Sequence, residues 1–64
     1  MELKATITAI ALDQVVCSGM RYNQLTVDVD GLEYPLLSKL THEVGDVVSV
    51  RFADAFETRL ALVP

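Results

Sequence analysis

Apolar and polar residues take turns along most of this chain, and a period of two is the pattern of a strand with one wet and one dry face. Leu3, Ala5 and Ile7 alternate with Lys4, Thr6 and Thr8; Leu25, Val27 and Val29 alternate with Thr26, Asp28 and Asp30; Val48, Val50 and Phe52 alternate with Ser49 and Arg51. A helix over the first dozen residues is the competing reading. It is disfavoured because Thr6, Ile7, Thr8 and Ile10 are β-branched and no capping residue precedes them.

The phase of the first run slips at Ala9-Ile10, after which Ile10 and Leu12 occupy the opposite parity. A bulge there would bend the strand and let it serve two parts of a curved wall. Asp13 to Met20 reads as a loop, although Val15-Val16-Cys17 is able to extend a strand and Ser18-Gly19 marks a turn. Asp30-Gly31 sits between two apolar runs, and this pair supplies the two positive-φ residues of a type I′ hairpin turn. Pro35, in the run Leu32 to Leu37, lacks a ladder donor and calls for a free edge. Val44-Gly45-Asp46 forms the next turn, Ala53 to Glu57 is a connection with room for one helical turn, and Thr58 to Val63 closes the chain with Leu60 and Leu62 on one face.

Five short strands in 64 residues leave room for a single domain, since so short a chain hides only roughly 60% of its unfolded surface. Coiling one meander into a partly open barrel covers the edges and one face. The expected fold is therefore an all-β, five-stranded, partly open barrel spanning residues 1–64, OB-like with an SH3-like order as the alternative. The apolar fraction is 52% without any Trp, more than one small interior holds, so a subunit interface is expected.

Charge and residue counts exclude several functions. The net charge is −4, and Lys4, Arg21, Lys39, Arg51 and Arg59 form no basic run, which argues against nucleic-acid binding. The rings Tyr22, Tyr34, Phe52 and Phe56 are too few for a base-stacking platform. With one cysteine, Cys17, there is no intramolecular disulfide and no thiolate metal cluster, and a lone thiol suits a reducing cytoplasm. No stretch approaches the roughly 20 apolar residues of a membrane span, and the first residues lack the form of a signal peptide. A Cys17–His42 nucleophile pair has no orienting third group, so Cys17 is read as a small hydrophobe near the core and His42 as a solvated loop residue. Asp28, Asp30 and Glu33 around the hairpin are read as solubilising charge rather than a cation site. No catalytic residues, no metal and no cofactor are expected.

Ser38-Lys39-Leu40-Thr41 offers two hydroxyls and a cation at the end of the third strand. Those are the parts of a small oxyanion site, with Ser38, Lys39 and Thr41 as the donors.

The first run Leu3–Ile10, the hairpin Leu25–Leu32, the segment Val44-Gly45-Asp46 with Val47–Phe52, and the terminal Arg59-Leu60-Ala61-Leu62 together resemble the TOBE, or molybdate-binding Mop-like, domains. That resemblance implies an OB-like barrel that binds a small oxyanion such as molybdate or tungstate and forms homo-oligomers. Free-standing members carry Ser-Ala-Arg-Asn near the start, where this chain has Glu2-Leu3-Lys4-Ala5-Thr6. The alternative expectation is a protein–protein interaction or assembly module with no small ligand.

Overall fold

The structure, a computed structural model, describes residues 2–63. Five antiparallel strands form one sheet: β1 (Leu3–Cys17), β2 (Met20–Val29), β3 (Leu32–Ser38), β4 (Val47–Phe52) and β5 (Leu60–Leu62). Their spatial order is β3-β2-β1-β4-β5. This differs from the simple meander expected from sequence. The fourth strand returns beside the first, which is the Greek-key arrangement. Alternation alone is silent on which strands become neighbours, because it fixes only the face each residue takes.

The inward face of the curled sheet carries the core. Ala5 and Ile7 from β1, Leu25, Val27 and Val29 from β2, Leu36 from β3, Val50 from β4 and Leu60 from β5 are all buried. Tyr34 of β3 and Phe52 of β4, both half-buried, meet edge to face with centroids 5.6 Å apart, packing one edge strand against the far side of the curled sheet. β3 and β5 approach one another without ladder pairing, so the barrel stays partly open.

Turn chemistry follows the sequence closely. Asp30 and Gly31 both have positive φ, 52° and 86°, as a type I′ turn requires. Pro35 lies on β3, an edge strand, where its missing N–H costs no ladder bond. The connection at Ala53–Glu57 contains turns and no helix. Asp54 organises it by accepting hydrogen bonds from the backbone N–H of Thr58 (2.9 Å), the N–H of Arg59 (3.3 Å) and the Thr58 hydroxyl.

The first strand departs most from expectation. The register against β2 shifts between Ile7 and Ala9, placing the first bulge at Thr8, and again between Ile10 and Gln14. A straight strand of 15 residues would measure about 50 Å, while the longest dimension of the molecule is 28 Å. The two irregularities supply the bending this demands. Ile10 remains half-buried, but Leu12, expected on its face, lies within the second irregularity and is fully exposed.

Past that point the expected loop is strand. Gln14–Cys17 pairs with Met20–Asn23, and Ser18-Gly19 forms a two-residue turn with positive φ at both positions. Gln14–Cys17 does not pair with β4, which reaches only Leu3–Thr6 of β1; Met20–Tyr22 does not pair with β3, which begins opposite Asn23. Residues 11–22 thus form a distal hairpin that lies beyond the barrel wall.

Candidate functional site

Ser38 points inward and is 2% exposed. Its Oγ accepts the backbone N–H of Leu40 at 3.0 Å and lies 2.9 Å from Nε2 of His42. With Leu40 donating to the oxygen, the hydroxyl hydrogen is free to go to His42, which accepts it in its Nδ1–H tautomer. The hydroxyl then has its ordinary partners inside the protein. Ser38 pins the start of the β3–β4 connection, a job that a buried polar side chain at a strand end performs well.

Lys39 and Thr41 are both exposed. Lys39 Nζ sits 5.7 Å from the centroid of the Tyr22 ring, a cation–π contact that ties the β3–β4 connection to the base of the distal hairpin. Asn23 adds a second tie, donating from Nδ2 to the Leu40 carbonyl at 2.9 Å while its Oδ1 accepts from Gln14 Nε2 at 3.0 Å. The three residues read as oxyanion donors are therefore given different surroundings: one buried and bonded, one laid over an aromatic ring, one on the surface.

His42 is half-buried and bonded to Ser38, not a solvated loop residue. The signal was its spacing: four residues after an inward-facing serine, across a tight connection, a side chain can fold back. Cys17 is exposed rather than near the core, because it ends the distal hairpin outside the barrel. Asp28 and Glu33 stand directly opposite one another on β2 and β3. Among the described residues no group of three or more His, Cys, Asp or Glu is placed to hold a metal ion.

The distal hairpin is the feature sequence reasoning missed. Leu12, Val16 and Met20 are 102%, 69% and 45% exposed. Val16 pairs with Arg21 and Gln14 with Asn23, so these four side chains share one face. With Leu12 and Asp13 they line a shallow depression of about 580 Å³. Asp13 and Arg21 are the only charged residues between 11 and 22, giving that segment no net charge on a chain of −4.

A second concavity, of about 850 Å³, lies between the β2–β3 turn and the β4–β5 connection. Its lining includes Leu3, Leu32, Tyr34 and Phe52.

No family model matches the chain, and no curated protein or solved structure matches it either. Among the described residues no helix is long and apolar enough to cross a membrane.

Proposed function

We propose that this protein is a non-enzymatic assembly module that associates with a second copy of itself through the distal hairpin. The observation that carries this is a surface excess. The chain exposes 4718 Å², whereas a compact monomer of 7.0 kDa exposes roughly 4,000 Å². The difference, about 700 Å², is what a fold with a projecting arm leaves outside one compact body, and Leu12, Val16 and Met20 stand exposed on that arm.

Location follows from edges, apolarity and charge. A two-stranded hairpin is marginal in water without a third strand or a packed face, so the segment gains from a cover. It offers unpaired backbone edges, and Leu12 and Val16 beside them. A second chain carrying −4 meets least repulsion at the uncharged segment. A two-fold axis presents the same patch to itself, so a pairing of Asp13 with the other copy's Arg21 would be made twice.

The Greek-key order supports an OB-like rather than an SH3-like reading of the barrel, in keeping with the TOBE-like resemblance. The oxyanion reading has less support, because the Ser38 hydroxyl already has partners within the chain. An exposed single thiol fits a cytoplasmic, reducing setting.

Sedimentation equilibrium across a hundredfold range of concentration tests the assembly. A rise from monomer to dimer mass, abolished by Val16→Glu with the circular dichroism of the barrel retained, is expected. Monomer mass at every concentration, or a dimer unaffected by Val16→Glu, would refute it. Repeating the series with molybdate separates the two readings: an increase in association only when the anion is added favours the oxyanion module.

A further inference from the structure

We infer that the groove between the β2–β3 turn and the β4–β5 connection is a second docking site, which takes an apolar segment of another protein bearing lysine or arginine. The groove shares no lining residue with the depression on the distal hairpin. At about 850 Å³ it has the capacity of a typical ligand cleft.

Its floor and its rim ask for different things. Leu3, Leu32, Tyr34 and Phe52 supply apolar and aromatic surface, and Leu32 is 62% exposed although it begins an otherwise alternating strand. Around them stand the carboxylates of Asp30, Asp54 and Glu57 against the single guanidinium of Arg51. Three negative groups and one positive leave the mouth net acidic, so a cationic side chain is drawn in and an anionic one repelled. Tyr34 and Phe52 favour the same partner, since aromatic rings attract ammonium and guanidinium groups. A partner with apolar residues for the floor and a cation for the rim satisfies both.

Two of the rim carboxylates stand on turns. Asp30 and Glu57 both have positive φ, 52° and 55°, and both are exposed. Asp54 is held by Thr58 and Arg59 and belongs to the architecture of the loop. Neutralising Asp30 and Glu57 therefore alters the rim charge while leaving the Asp54 bonds in place, and asparagine tolerates the left-handed conformation at position 30.

The test uses the full chain and two blocked synthetic peptides, Leu-Lys-Leu-Lys-Leu and Leu-Glu-Leu-Glu-Leu, followed by two-dimensional amide NMR. Saturable shifts at Leu32, Tyr34, Phe52 and Glu57 with the lysine peptide are expected, with no response to the glutamate peptide. The double variant Asp30→Asn/Glu57→Gln, its spectrum otherwise native, should bind the lysine peptide about three- to tenfold more weakly. The inference is overturned if both peptides act alike, if the double variant binds unchanged, or if no groove resonance moves at about 5 mM peptide. Shifts confined to residues 11–22 would also overturn it, by assigning the peptide to the hairpin. Val16→Glu, which removes self-association, should bind the lysine peptide as the native chain does.

Discussion

Replacing Ser38 by alanine removes a hydroxyl that the structure buries between a backbone donor and a histidine. The serine oxygen accepts from Leu40 N–H at 3.0 Å and faces His42 Nε2 at 2.9 Å. Each net hydrogen bond is worth about 1 kcal/mol, and a part-buried Leu40 N–H left without a partner adds desolvation, so Ser38→Ala should cost about 1.5–3 kcal/mol. A domain of 64 residues has roughly 3–10 kcal/mol in all. On that scale the loss is large, lowering the melting midpoint by about 6–24 °C. The assay is urea unfolding followed by circular dichroism, in buffer without any oxyanion. Thr41→Ala, at an exposed position whose side chain makes no hydrogen bond among the described residues, serves as control and should change stability by less than about 0.5 kcal/mol. In a double-mutant cycle Ser38→Ala and His42→Ala should couple by about 0.5–1.5 kcal/mol. Equal stability of Ser38→Ala and the native chain, or additivity with His42→Ala, would refute the structural role assigned to this serine.

Three other perturbations probe the rest of the molecule. Ile7→Val removes one methylene from a fully buried site and should cost about 0.5–1.5 kcal/mol by denaturant titration; no loss would mean that Ile7 is not core. Glu33→Lys converts a like-charged pair directly opposite Asp28 into an attractive one, raising stability by about 0.2–1 kcal/mol, an increment that salt should diminish. The hydrogen bonds from Thr58 and Arg59 hold the Asp54 carboxyl below its ordinary value of 3.8. Because the folded-state value is the lower one, the stabilisation from this group is present above pH 3.8 and is lost as the pH falls through the folded value. Asp54→Asn should flatten the acid limb of the stability profile, and an unchanged limb would count against the loop assignment.

Much of the barrel was legible because alternation reports directly on burial. The pairs Leu25/Val27 and Val48/Val50 announce their inward faces, and Asp30-Gly31 announces its turn through positive φ. Strand order was not legible, since the return of β4 to β1 depends on backbone bonds such as Ile7 N–H to the Asp46 carbonyl (2.9 Å) and Gly45 N–H to the Ile7 carbonyl (2.8 Å). No side-chain pattern encodes those. The distal hairpin was hidden for a related reason: with neither face packed on the core, Leu12 to Tyr22 has no burial alternation to display. At the candidate site, Ser38, Lys39 and Thr41 advertised donors, but a donor list says nothing of which donors are already used. His42 closing on Ser38 decides that, and it is a tertiary contact four residues long.

Amide hydrogen exchange of the native chain at two concentrations tests the self-association most directly, because it reports which backbone groups a second copy covers. Dilution should leave the amides of Val27, Leu36 and Val50 equally protected, while those between Ala11 and Tyr22 exchange slowly in concentrated solution and rapidly in dilute solution. Identical exchange of the distal hairpin at both concentrations, or concentration-dependent protection that falls on β3 or β5 instead, would contradict the account.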